Sequence, residues 1–319
     1  MSKPVTALLL LALAAAFAAS TLLPLEPLRS VDADLATSLL VELRLPRALL
    51  ALAYGATLGA SGAAIQALFA NPLASPDLTG TTSGAALGAV VTAYLFGFAA
   101  PVALSIGSVA GALGALALLL ALAGPKAETA TLLLSGLAIS ALAGALTTLA
   151  LALAPSPFAF YDAYDWLMGS LIDRSLDQAA FAGVPAVLTI ALLIRLGPSL
   201  DRLSLGEEVA QSLGHDIARI RLEIVCLTAL GVGACVAICG AIGFVGLVAP
   251  IFARRLTRGH PGRAILPAAL IGALLLIVAD LAVRLAPLGR TLPIGVLTAL
   301  IGAPFFLWLV AHMRWRLRA

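Results

Sequence analysis

Long apolar runs dominate this sequence. They do not alternate with polar residues as half-buried strands would, and each ends at proline, glycine or charge. Such runs predict helices near residues 5 to 24, 45 to 69, 78 to 97, 101 to 123 and 129 to 154 in the first half. The second half adds 179 to 196, 220 to 239, a short one near 244 to 256, 264 to 286 and 293 to 313. A helix crossing the hydrocarbon core needs about 20 mostly apolar residues, so the pattern reads as about ten transmembrane helices in one all-α polytopic domain spanning residues 1–319. Two polar stretches interrupt it, 155–178 and 197–219, each long enough for short helices of its own.

Composition sharpens this picture. The 319 residues are 61% hydrophobic and only 11% charged, and their mean hydropathy is +1.08. A soluble domain carries roughly 25% charged residues, so a separate cytosolic enzyme domain has no room here. Twenty-nine glycines and 6% aromatics suit close-packed membrane helices rather than an aromatic-girdled barrel. Small-xxx-small spacings at Gly55/Gly59, Gly80/Gly84/Gly88 and Gly107/Gly111 are expected to be packing devices. An offset of 178 residues superposes Gly55 on Gly233, Gly62 on Gly240, Ala63 on Ala241, Pro72 on Pro250 and Gly84 on Gly262, a weak internal inverted repeat. Cys226, Cys235 and Cys239 share one apolar segment and read as small core residues. The first apolar run, after Lys3, is expected to be an uncleaved helix rather than a signal peptide.

Charge sets the orientation. Ten spans put both termini on one side, and if that side is the cytoplasm, thirteen of the nineteen Lys and Arg lie there, including Lys126, Arg219, Arg221, Arg254, Arg255 and Arg318. The outer face then carries the acids Glu26, Asp32, Asp34, Glu42, Asp162, Asp165, Asp173 and Asp177. The net charge of +3 is scattered, with no aromatic-interleaved basic patch, which excludes a nucleic-acid partner and points to anchoring beside membrane lipid.

Catalytic constellations are missing. His215, His260 and His312 lie in polar or terminal positions, and no HExxH, GxSxG, CxxC or GxxxxGK[ST] occurs, so no catalytic, cofactor or metal site is expected. Asp280 sits inside a long apolar span with Arg284 one helical turn on, where the two can pair. Arg44 and Arg47 flank Pro46 on the outer side, where positive charge is disfavoured. They read either as snorkelling to lipid phosphates or as docking an acidic partner. On the span from 129, Thr131, Ser135, Ser140, Gly144 and Thr148 recur at four or five residues, roughly along one face that could line a pathway or bond between helices. Tyr161, Tyr164, Trp166 and Met168 make the outer polar stretch an expected interfacial helix. In the inner stretch Leu203, Leu205, Val209, Ala210 and Leu213 interleave with Glu207, Glu208, Gln211 and Ser212 before Gly214, an amphipathic segment that lies on the membrane or inserts into a cytosolic partner.

Several motifs in order then resemble one family: Arg44-Leu-Pro-Arg47, Ser61-Gly-Ala-Ala64, Asn71-Pro-Leu-Ala74, Gly240-Ala-Ile-Gly-Phe-Val-Gly-Leu-Val-Ala-Pro250 and Leu292-Pro-Ile-Gly295. The chain resembles the FecCD/BtuC-type permease family from about residue 40 to 313. That resemblance implies the transmembrane subunit of a type II ATP-binding-cassette importer in the bacterial inner membrane, with both termini cytoplasmic. It implies a homodimer around a central path, two cytosolic ATPases that bind ATP and Mg, and a periplasmic binding protein. The cargo it implies is a ferric siderophore, haem or cobalamin. It further implies that Arg44, Arg47 and Arg284 meet glutamates of the binding protein. Likewise, Leu205, Gly206, Glu207, Glu208, Ala210, Leu213 and Gly214 would belong to the segment seated in the ATPase. An ion-coupled secondary carrier is the rival from another class, opposed by the scarcity of intramembrane charge. An intramembrane hydrolase would need facing polar pairs that the sequence does not supply.

Overall fold

The computed structural model describes residues 3–25, 31–97, 100–124, 129–214, 216–286 and 292–316, so Glu26, Lys126, His215 and Arg318 lie outside the described residues. Its regular elements are all helical. Helix α1 (Lys3–Leu22) is followed by α2 (Ala33–Ser38), a π-helical turn (Leu39–Arg44) and α3 (Leu45–Leu68), which together form one rod. Then come α4 (Thr81–Tyr94), α5 (Pro101–Ala123), α6 (Thr129–Ala152), α7 (Pro157–Leu167), α8 (Leu176–Leu203) and α9 (Glu207–Ser212). The chain continues through α10 (Ile217–Cys239), α11 (Val245–Leu256), a 3-10 turn (Gly262–Ala264), α12 (Ile265–Leu285) and α13 (Ile294–Arg316).

The helix starts follow from local chemistry. Pro46, Pro101 and Pro157 stand in the first turns of α3, α5 and α7, where a missing N–H costs nothing. Ser156 caps α7, and Ser175 with Gln178 forms a reciprocal capping box on α8. That box starts α8 three residues before the apolar run, and the helix continues to Leu203. The first seven residues of the expected inner polar stretch, 197–203, are therefore the last turns of a span, and the acids Asp34 and Glu42 lie on the entry rod rather than in a loop.

Two helices form the centre. Residues 54 to 68 of α3 are buried throughout, as is most of the second half of α10. Alanine, glycine and serine on α3 let neighbours approach at backbone distance: Gly55 lies on Gly272 and Gly59 on Ala268, both of the antiparallel α12, and Gly62 lies on Gly246 of α11. Gly84 and Gly88 meet Gly111 and Gly107 in the same way between α4 and α5. The expected small-residue spacings are thus interhelical seams, except that Gly80 serves as the left-handed entry to α4.

Seven of the described helical stretches are long and apolar enough to cross a membrane, and the described apolar part of α13, Ile294–Leu309, is shorter. The expected spans 78 to 97 and 244 to 256 are both half-helices. With 14 residues, α4 extends roughly 21 Å at 1.5 Å per residue, and α11 with 12 residues is shorter still. Each starts inside the protein after a non-helical approach, residues 69–80 and 240–244. At the second of these Phe244 takes φ +65, a conformation a bulky residue adopts only when its surroundings impose it. Long helix, break, short helix thus occurs twice, α3 to α4 and α10 to α11, with α3 and α10 antiparallel. The 178-residue offset does not align these units, since Pro72 lies in the loop after α3 while Pro250 is inside α11. Unequal breaks between the long and short helices prevent any constant offset.

One carboxylate ties the two breaks together. Asp77 Oδ1 accepts from Thr82 Oγ1 at 2.8 Å in the first turn of α4, and Oδ2 accepts from the Phe244 backbone N–H at 3.0 Å just before α11. Both helix N-termini, positive ends of their dipoles, therefore converge on it. Ser140 Oγ of α6 donates to the Asp77 carbonyl at 3.2 Å. Asp77→Ala would leave both donors without their acceptor, at about 1–3 kcal/mol. A lowered Tm of the purified protein is expected, and a Tm equal to wild type would refute this latch.

Candidate docking and coupling surfaces

At the end of the bundle that carries α7, three arginines gather around one carboxylate. The π-helical turn presents Arg44, the first turn of α3 presents Arg47, and the last two turns of antiparallel α12 present Asp280 and Arg284. Arg47 Nε donates to Asp280 Oδ1 at 2.8 Å. Arg284 Nε stands 3.5 Å from Asp280 Oδ2 in an ion pair, yet neither atom has hydrogen-bond geometry. The expected Asp280–Arg284 pair thus exists, but Arg47 from a helix 233 residues away holds the carboxylate more closely. Asp280 has no exposed surface, and the side chains of Arg47 and Arg284 are 14% and 12% exposed.

Arg44 and Nη2 of Arg284 turn instead to the end of α1. Arg44 donates to the carbonyls of Thr21, Leu22 and Pro24 at 3.2, 2.8 and 2.9 Å. Arg284 donates to the Ser20 carbonyl and, at 3.0 Å, to Ser20 Oγ. These are the orphan carbonyls of a helix C-terminus, the negative end of its dipole, so cations belong there. Three guanidinium groups against one carboxylate leave a local surplus of positive charge in this cluster, on a face that otherwise carries acids such as Asp34 and Glu42. At the same end α7 exposes Phe158 and Tyr161, and Phe160 stacks on Tyr164 with centroids 6.1 Å apart.

The opposite end carries α9. Gly206, at φ +108, turns the chain into this six-residue helix, and Gly214, at φ +83, turns it out. Ala210 is fully buried and seats the helix against the bundle, while Leu205, Val209 and Leu213 are 63%, 45% and 57% exposed. Glu207 pairs with Arg221 of α10 at 2.9 Å, and Glu208 is exposed. The interleaved pattern is therefore two buried residues, Leu203 and Ala210, and three outward apolar side chains. The pairing of Glu207 was not legible, because Arg221 lies beyond the loop that follows α9.

The polar residues of α6 do not share a face. Buried Gly136, Ile139, Ala143 and Thr147 form the stripe packed on the bundle, and Ser140 turns in with them to the Asp77 carbonyl. Thr131, Gly144 and Thr148 are exposed, Ser135 is half-buried, and Thr148 Oγ1 donates to the Gly144 carbonyl at 2.9 Å. The five-residue step from Ser135 to Ser140 advances about 140° beyond a full turn, which carries the later residues to another side of a continuous helix. Among the described residues no group of three or more His, Cys, Asp and Glu could hold a metal ion. Cys235 and Cys239 are buried and Cys226 is exposed, all with free thiols.

Known proteins share this arrangement along nearly its whole length. The sequence matches the FecCD transport family over residues 6–312. It is 42% identical over 294 residues to the vitamin B12 import system permease protein BtuC of Vibrio cholerae, covering 89% of this chain and 86% of that protein. It is 39% identical to the Fe(3+)-citrate import system permease protein YfmE of Bacillus subtilis, covering 84% and 80%. The Fe(3+) dicitrate transport system permease protein FecD of Escherichia coli is also 39% identical, with 86% of each covered. A solved inward-facing conformation of a metal-chelate type ABC transporter superposes with a TM-score of 0.84 at 32% identity, covering 98% of this chain and all of that one.

Proposed function

The chain belongs to the FecCD transport family, and from that premise we propose that it is the permease subunit of an ATP-binding-cassette importer. It forms the path by which a metal chelate, a ferric siderophore, haem or cobalamin, crosses the inner membrane. The observation that carries this reading is the likeness to import permeases over more than four fifths of the chain and to a metal-chelate transporter over 98% of it. In this reading the α9 end and both termini are cytoplasmic and the α7 end is periplasmic. Two copies form the path, with the exposed side of α6, including Thr131, Gly144 and Thr148, as its proposed lining. Two separate ATPases bind ATP and Mg, and their closure pushes on α9. A binding protein docks on the surplus charge of Arg44, Arg47 and Arg284.

Purification from native membranes, followed by mass spectrometry of the intact complex, tests the assembly. An ATPase copurifying at two plus two with the permease is the expected result. A lone protein supporting ATP-independent uptake would replace this reading with a secondary carrier. Docking has its own test. Arg44→Glu inverts one charge without setting a second carboxylate beside Asp280, as Arg47→Glu would. It is expected to weaken binding-protein association roughly tenfold at low salt, with the difference shrinking as salt rises. Docking unchanged at low salt would remove Arg44 from the interface.

A further inference from the structure

The outer arginine cluster contains a group that cannot touch a partner. Asp280 has no exposed surface, and it lies beneath Arg47 and Arg284 rather than beside them. Each arginine faces it through Nε, the nitrogen nearest its aliphatic stem. A guanidinium carries five N–H donors in a fixed fork, so a contact at Nε leaves the terminal nitrogens of Arg47, and Nη1 of Arg284 whose Nη2 goes to Ser20, for a second carboxylate. Two long side chains from different helices, which would otherwise repel each other, are thereby fixed side by side. Arg284 is also pinned by Ser20, so its fork is held from two directions.

We propose that Asp280 is the positioning residue of the docking patch: acting through Arg47 and Arg284, it holds both guanidinium groups in the arrangement that receives acidic side chains of the binding protein. The inference rests on the importer reading and adds to it a residue that makes no contact with the partner. Its chemistry gives it an opposite sign from a simple charge argument. Removing the carboxylate from under Arg47 and Arg284 raises the positive charge of the patch by one, and charge alone then predicts tighter association with an acidic partner. Loss of pre-organisation predicts weaker association, because the forks must be ordered at the moment of docking.

The test uses the full permease–ATPase complex in detergent or nanodiscs and the binding protein that copurifies with it. Asp280→Asn is expected to weaken docking about tenfold despite the added positive charge, mainly through faster dissociation. In an Arg47→Ala background, which also balances the charge lost, the same change is expected to weaken docking less than about twofold, since its main route of action is gone. A complex that will not assemble with asparagine is tested with Asp280→Glu. That variant keeps the charge, moves the carboxylate by one methylene, and is expected to dock several-fold more weakly than wild type. Docking by Asp280→Asn as tight as wild type or tighter would overturn the proposal, as would full additivity with Arg47→Ala, or wild-type docking by Asp280→Glu. Absence of any docking by the wild-type complex would instead overturn the importer reading itself, and this inference with it.

Discussion

Replacing Leu205, Val209 and Leu213 together by serine is expected, on the proposed importer reading, to abolish chelate uptake into proteoliposomes while leaving the proposed permease dimer intact. Val209 faces outward on a helix of six residues, with Leu205 and Leu213 outward-facing at its two ends, and so short a helix does not persist without its seat on the bundle. Ala210 supplies that seat from the opposite face and Glu207–Arg221 ties the segment to α10, so the exposed side can be altered without releasing the buried one. Apolar side chains displayed in this way gain stability only when a partner covers them, and a few such anchors carry most of an interface. Loss of all three should weaken ATPase retention on the order of 100-fold. Copurified ATPase and ATP-driven uptake should fall together. Uptake at the wild-type rate with the ATPase still bound would show that the coupling surface lies elsewhere. Glu207 is the poorer target, since its substitution would confound loss of the partner contact with release of α9 from Arg221.

What the sequence made legible here follows from the range of the interactions involved. Apolar runs are local, so all ten predicted spans appear as helices, and the seam glycines were visible from their spacing on a single helix. Broken spans were not visible in the same way. Phe244 is bulky and apolar, and its left-handed conformation is imposed by packing and by Asp77, which is 167 positions away. Asp77 itself offered one signal, an acid shortly before a helix start, but not its second partner. The outer cluster divides likewise. Asp280 and Arg284 are one helical turn apart and could be paired on paper, whereas the closer Arg47 contact requires α3 and α12 to lie antiparallel. On α6 the failure was one of arithmetic rather than range, because mixed steps of four and five residues do not hold a single face of a helix that advances 100° per residue.

The same distinction between local and long-range contacts decides which glycine matters most. Gly62 of α3 is covered by the backbone of Gly246, such that a Cβ at position 62 would overlap the Gly246 carbonyl oxygen. Gly246 has no freedom to withdraw, since its own open side faces Pro76 and the Leu58 carbonyl. A flexible side chain could yield to the intruding methyl groups, but a helix backbone shifts as a unit. Moving α11 by the required amount pulls Phe244 away from Asp77 and opens the junction where both half-helices begin. Gly62→Val is therefore expected to cost at least about 3 kcal/mol, the upper range for overpacking a well-filled interior. A sharp fall in monodisperse protein by size-exclusion chromatography is expected, with a Tm lower than that of Asp77→Ala, which leaves the helices in contact. Gly114 of α5 is the internal control. A Cβ there meets nothing within 4 Å, and alanine is the better helix former, so Gly114→Ala should be neutral or slightly stabilising. Equal behaviour of the two variants would mean that α11 can slide along α3, and that the junction at Asp77 does not fix the half-helices.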